Sequence, residues 1–176
     1  MADLPAARLV IRATEAAGRV AFASVVLDYD ARFLRRKRLV TVQGDGFLVN
    51  LAETTSLDAH DMLELDDGRL IEVVPAEEPL LVITGARLQR YAWHIGNRHA
   101  PCQIEATRLL IRQDHVLEAM LTQLGATVRR AFEPFTPEGG AYGLGRTMGH
   151  EHGPAQSMWG QAEGAAFELP PALRVK

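Results

Sequence analysis

Six histidines and one cysteine define the metal chemistry open to this 176-residue chain. Imidazole suits nickel, zinc and copper, whereas calcium and magnesium prefer oxygen ligands. The most informative histidine is His99, within Trp93-His94-Ile95-Gly96-Asn97-Arg98-His99-Ala100-Pro101. It falls in a short polar loop, after a segment with helical periodicity and just before a proline-marked turn. One imidazole is too few to hold a transition metal, because such sites use about four ligands. A second copy of the chain would supply a second His99, so the loop suits a metal site built across a dimer. A histidine satisfied structurally within its own loop is the other reading of the same residues.

The remaining histidines divide in the same way. His94 lies near the end of the helix-like segment, where the helix dipole favours a protonated imidazole, and a structural role is the preferred reading. His115 follows Asp114, which stands where an N-cap is expected. Together they offer an oxygen and a nitrogen ligand; the plainer reading is a cap followed by an exposed first-turn residue. His150 and His152 form His-Glu-His in a glycine-rich segment. Alternate spacing in an extended chain puts both imidazoles on one side, with chance occurrence as the alternative. His60 has no ligand-like neighbours in sequence and is placed in a loop. Cys102 stands alone, which excludes an internal disulfide and a thiolate zinc finger and fits a reducing compartment. It reads as a small buried apolar residue. No Ser-His-Asp order, phosphate-binding glycine loop or His-Glu-x-x-His helix is present, so the chain is not expected to be an enzyme.

Two kinds of pattern must position these residues. The first half reads as short strands: Leu9–Ile11, Val20–Leu27, Leu39–Val42 paired through Gly44-Asp45-Gly46 with Phe47–Leu51, and Met62–Leu65 paired through Asp66-Asp67-Gly68 with Arg69–Val74. Asp28-Tyr29-Asp30 breaks the second run. Such spacing suggests a small sheet or barrel. Pro75-Ala76-Glu77-Glu78-Pro79 reads as a charged, proline-flanked linker. The second half begins with a buried-type strand, Leu80–Thr84. Leu88, Tyr91, Ala92 and Ile95 then recur at helical spacing, and Gly96 is the expected stop. Two strands follow at Cys102–Glu105 and Arg108–Ile111. A second helix carries Val116, Leu117, Met120, Leu121 and Leu124 on one face and ends at Gly125, and Thr127–Phe132 closes with a strand. The order β-α-β-β-α-β is that of the ferredoxin-like fold. The expected class is α+β: a small β-sheet or barrel-like domain over residues 1–75, a ferredoxin-like metal-binding domain over 76–143, and a histidine-containing tail over 144–176 whose glycines and prolines suggest flexibility.

Composition narrows the function. Hydrophobic residues make up 47% of the chain, enough for packed cores. The net charge of -3 argues against nucleic acid as a partner. Arg35-Arg36-Lys37-Arg38 is a local exception that reads as a solvated loop or edge strand. A DNA-bound metal regulator lacks a visible helix-turn-helix, and an RNA-binding module lacks exposed aromatics on the candidate strands. No signal peptide or membrane span is evident, so a cytoplasmic location is expected.

Gly96-Asn97-Arg98-His99 with Pro101, then Asp114-His115-Val116-Leu117, Met120-Leu121 and Leu124-Gly125, resembles the UreE family of urease accessory proteins. Phe135-Thr136-Pro137-Glu138-Gly139-Gly140-Ala141-Tyr142-Gly143 and a histidine-bearing tail continue the likeness. The resemblance implies a homodimeric chaperone that delivers Ni²⁺ for maturation of the urease site. Its implied partners are the GTPase UreG and the urease apoprotein with its accessory proteins. It also implies a partner-binding β domain and a metal-carrying ferredoxin-like domain. The family's interfacial metal histidine falls on His99. A His-x-His pair that some members carry before the second helix is here Gln113-Asp114-His115, so half of it remains. The long histidine run of many members is reduced to His150 and His152, which suits one or two tail ligands rather than bulk storage. Zn²⁺ or Cu²⁺ would also bind such a site. The competing function is general zinc or nickel buffering, or metal-responsive regulation.

Overall fold

The structure, a computed structural model, describes residues 4–139. Its first six strands are β1 (Ala6–Ile11), β2 (Ala23–Leu27), β3 (Phe33–Val40), β4 (Gly46–Ser56), β5 (Met62–Leu65) and β6 (Leu70–Pro75). They form one curled sheet in the order β2-β6-β5-β1-β4-β3. The two hairpins read from the sequence, β3–β4 and β5–β6, are antiparallel; β1 runs parallel to β4 and β2 parallel to β6. The second strand is shorter than its apolar run suggested, because Val20 and Phe22 stay exposed ahead of it. After β3 the chain returns to β2, where the Val42 amide donates to the Ser24 carbonyl at 2.8 Å, so the sheet curls toward a barrel.

Alternation places Ala7, Val25, Val49, Leu63, Ile71 and Val73 in the interior. Arg35, Arg36, Lys37 and Arg38 lie exposed on β3, an edge strand, as one of the two sequence readings had it. A bulge between Leu34 and Arg36 lets Leu34 and Leu39 both reach the core although they are an odd five positions apart. A bulge and a row of cations on a free edge also block pairing with foreign strands.

The second unit runs β7 (Glu77–Thr84), α1 (Leu88–Gly96), β8 (Gln103–Ile104), β9 (Leu109–Arg112), α2 (His115–Gln123) and β10 (Thr127–Pro134). Its sheet has the order β10-β7-β9-β8, with every pairing antiparallel, which is the ferredoxin-like arrangement. Leu81, Ile83, Leu109 and Ile111 point to one face, where Tyr91 and Ile95 of α1 and Leu117 and Leu121 of α2 cover them. Each such buried aliphatic side chain contributes about 1.5–3 kcal/mol relative to exposure.

The reading of Pro75–Pro79 as a linker is corrected by the structure. Only Ala76 separates β6 from β7, and its amide is bonded to the Leu27 carbonyl. Glu78 is buried because its carboxylate accepts the Tyr29 amide at 2.8 Å. Pro79 is tolerated in β7 because pairing with β9 begins only at Leu80. Asp28-Tyr29-Asp30, which ends β2, joins the two sheets. The Tyr29 ring meets Phe135 edge-on at 5.4 Å, over the face formed by Leu80, Val82 and Leu110. Arg32, also buried, donates to the Phe135 carbonyl, and Arg112 pairs with Asp30 at 2.6 Å. Both faces of the second sheet are therefore covered, one by helices and the other by this junction.

Candidate metal centre

The decisive local feature is the end of α1. The helix runs through Gly96, which is not in the left-handed region, so Gly96 is a last-turn residue and not the expected stop. The left-handed residue is His99, with φ of 54°. Its amide donates to the Gly96 carbonyl at 2.9 Å, and the Ala100 amide reaches the Ile95 carbonyl at 3.4 Å. These two bonds close the helix: the first satisfies the Gly96 carbonyl, and the second is shared by the Ile95 carbonyl, which also accepts the Arg98 amide at 3.0 Å. Ala100 then packs against the cluster that contains Ile95, and Pro101 prevents further helix. Glycine is the usual occupant of the left-handed position, because a β-carbon there is crowded. Here an exposed histidine occupies it, at the apex of a loop fixed on both sides.

Further contacts fix that loop. The Arg98 Nε lies 3.2 Å from the Met120 thioether, which ties the loop to α2. The residues just after His99 and just before His115 face one another across a cleft of about 510 Å³, lined by Ala100, Pro101, Glu78, Arg112, Asp114 and Leu117. His115 is the first residue of α2 and is exposed. The Asp114 Oδ1 accepts the amides of Val116 and Leu117 at 2.7 and 2.9 Å. Asp114 is thus a helix cap through its Oδ1, as the plainer sequence reading had it.

His94 is half-buried and its ring meets Trp93 edge-on at 4.9 Å. Cys102 is half-buried, and burial, helped by the negative charge of Glu138, pushes its thiol pKa up to about 12. A thiol so held stays protonated near neutrality and is a poor metal ligand. His150 and His152 lie outside the described residues. The chain leading toward them is placed, however: after β10 it crosses to β8, where the Thr136 amide donates to the Gln103 side chain at 2.8 Å and the Glu138 amide to the Cys102 carbonyl at 2.9 Å. It therefore leaves Gly139 beside the strand that follows the His99 loop.

His60 is the histidine about which the sequence said least. It has a φ of 67°, and its Nδ1 lies 2.8 Å from the Glu72 Oε1, a neighbour twelve residues away that only the β5–β6 hairpin brings near. Among the described residues, no group of three or more His, Cys, Asp or Glu side chains converges on one point that could hold a metal ion. None of the described helices is long and apolar enough to cross a membrane.

Comparison with known proteins gives the family. The model of the UreE urease accessory protein N-terminal domain matches residues 9–76, and that of the C-terminal domain matches residues 78–159. The chain belongs to the UreE urease accessory protein family. The urease accessory protein UreE of Cereibacter sphaeroides is 63% identical over 156 residues, which cover 89% of this chain and 85% of that protein. That of Ruegeria pomeroyi is 61% identical over 85% of this chain and 99% of its own length. A more distant relative, from Bradyrhizobium sp. (strain BTAi1), keeps 50% identity over 141 residues. The family is one of accessory proteins, not enzymes.

Proposed function

We propose that this chain is a metallochaperone that binds Ni²⁺ and delivers it for maturation of the urease active site. His99 from each of two protomers is the centre of the metal site. The observation that carries this reading is the left-handed backbone at His99, an exposed imidazole held at a position where glycine would be cheaper. Conformational strain of this kind collects at ligand-binding positions.

The placement of other groups supports a shared site. Trp93 and Val116, beside His94 and His115 on the helical layer, are 64% and 51% exposed, which suits a second copy docking over that layer. Asp114, next to His115, lines the same cleft as Ala100 and Pro101, and His115 is the supplementary ligand within the fold. His150 lies eleven residues beyond Gly139. That length of chain can extend at most roughly 36–40 Å, enough to bring His150 or His152 to the His99 loop. Nickel is cargo here. Two central imidazoles capture it, and tail ligands leave first when it is handed on, through UreG, to the urease apoprotein. Zn²⁺ and Cu²⁺ compete for the same donors. The reading places the protein in the cytoplasm.

Calorimetric titration of the purified protein with Ni²⁺, with mass measured in solution, tests this. One tight ion per dimer is expected, and His99→Ala should abolish it, whereas truncation after Tyr142 should only weaken binding or lower its stoichiometry. Equal nickel affinity in His99→Ala and the parent protein would overturn the assignment.

A further inference from the structure

We propose that the outer face of the first sheet, where the chain after β3 returns to β2, docks an acidic amphipathic segment of a partner protein. Four large apolar side chains are exposed there: Phe22, Val26, Val40 and Val42, at 54%, 49%, 56% and 64%. They belong to one patch. Phe22 and Val26 stand two positions either side of Ser24, so alternation turns all three to one face, away from the buried Ala23, Val25 and Leu27. The Val42 amide is bonded to the Ser24 carbonyl, and Val40 is two positions before Val42. Single exposed hydrophobic residues are ordinary, whereas a contiguous group bordered by charge marks a protein-binding surface.

The border is cationic. Arg36, Arg38 and Val40 lie opposite Asn50, Leu48 and Gly46 of β4, while Leu39 lies opposite the buried Phe47, so the two arginines share the outer face with Val40. Arg36 is held along that face by the bond from its Nε to the Asn50 Oδ1 at 2.7 Å. Residues 46–52 of β4 carry no carboxylate. Among the described residues, none of Arg35, Arg36, Lys37 and Arg38 is in an ion pair, although Arg12, Arg69, Arg108, Arg112, Arg129 and Arg130 are. The acidic residues Asp45, Asp66 and Asp67 act on Arg69 instead, whose guanidinium covers the Phe22 ring at 4.8 Å. In a chain of net charge -3, four adjacent unneutralised cations set up a local field that draws a negatively charged partner.

Shielding the free edge of β3 from foreign strands does not account for this arrangement. Shielding needs cations along the edge; it asks nothing of two arginines over the sheet face or of valines beyond them. Strand addition to β2 is closed at this point, because Val42 and the Gln43 side chain take up the backbone groups of Ser24. The partner is therefore held by side chains. Its apolar groups rest on Phe22, Val26, Val40 and Val42, and its carboxylates meet Arg36 and Arg38.

The test is fluorescence anisotropy of a labelled synthetic peptide of alternating Glu and Leu, titrated with the full chain in the absence of metal. Binding is expected and should weaken as salt is raised, while a peptide of alternating Lys and Leu should not bind. Arg36→Glu combined with Arg38→Glu should weaken binding at least about tenfold, because like charges then face each other. Val40→Ser combined with Val42→Ser should weaken it at least about tenfold through lost apolar contact. Amide NMR signals unchanged away from the substituted positions report that each variant is folded. No binding by the parent protein, or equal affinity in either double variant, would overturn the proposal. So would a DNA duplex or a phosphatidylglycerol vesicle that binds the parent protein more tightly than the Glu–Leu peptide does. Because no nickel is present, failure here is distinct from failure of the His99 assignment.

Discussion

Helices α1 and α2 are each nine residues long and share the last two hydrogen bonds that close them. In α2, the Gly125 amide donates to Thr122 and the Ala126 amide to Leu121, both at 3.0 Å; in α1 the corresponding donors are His99 and Ala100. Ile95 and Leu121 occupy equivalent positions and are fully buried in one core cluster. The two ends differ at the left-handed residue: Gly125 with φ of 87°, His99 with φ of 54°. Packing on the sheet requires the chain to turn back at both places, and glycine makes that turn at least cost. Where α1 keeps a histidine instead, it gives up about 1 kcal/mol, roughly the advantage of glycine at such a position. On the proposed function, the return on that cost is the metal that the exposed imidazole binds.

The sharpest break of the comparison is His99→Gly. It makes the α1 end chemically equivalent to the α2 end while removing the proposed ligand. Tight nickel binding to the dimer should be lost, by at least about 100-fold in affinity. Urea unfolding of the metal-free protein should show stability unchanged or raised by about 0.5–1 kcal/mol. Loss of function with gain of stability is the signature of a residue kept for binding. A substantial fall in metal-free stability would mean that the imidazole supports the fold, and the contrast between the helix ends would lose its meaning.

Gly125→Ala probes the other end and should have a smaller effect of opposite sign. No atom lies within 4 Å of a β-carbon built on Gly125, so steric conflict with neighbours contributes nothing. The penalty is the left-handed backbone alone, about 1 kcal/mol. Denaturant midpoints should fall accordingly, and nickel stoichiometry should not change. A neutral result would show that the turn after α2 relaxes freely, and the cost inferred for His99 would fall with it.

Much of this fold was legible because its signals are local. The hairpin turns at Gly44 and Gly68, the cap at Asp114 and the helical stripe from Leu117 to Leu124 are each written within a few residues of where they act. What stayed hidden depends on partners distant in sequence. Pro75–Pro79 looked like a linker because its charges and prolines were visible and the Tyr29 amide that buries Glu78 was not. His60 looked isolated because Glu72 reaches it only through strand pairing. At the end of α1, residue types pointed to His99, but the backbone state that singles it out did not follow from them. Gly96 looked like the natural stop, and only the register of the closing bonds moves the left-handed residue three positions on.

That register makes the smallest prediction the most specific to α1. If Gly96 were the terminating residue, Gly96→Ala would cost about 1 kcal/mol, as at Gly125. In the structure Gly96 is helical, lacks a positive φ, and has no atom within 4 Å of an added β-carbon. Alanine there reduces the freedom of the unfolded chain and favours the helix, so Gly96→Ala should raise stability by about 0.5–1 kcal/mol. The two glycine-to-alanine changes should therefore shift the urea midpoint in opposite directions. If both destabilise, the helix ends at Gly96, and His99 no longer occupies the position that Gly125 does.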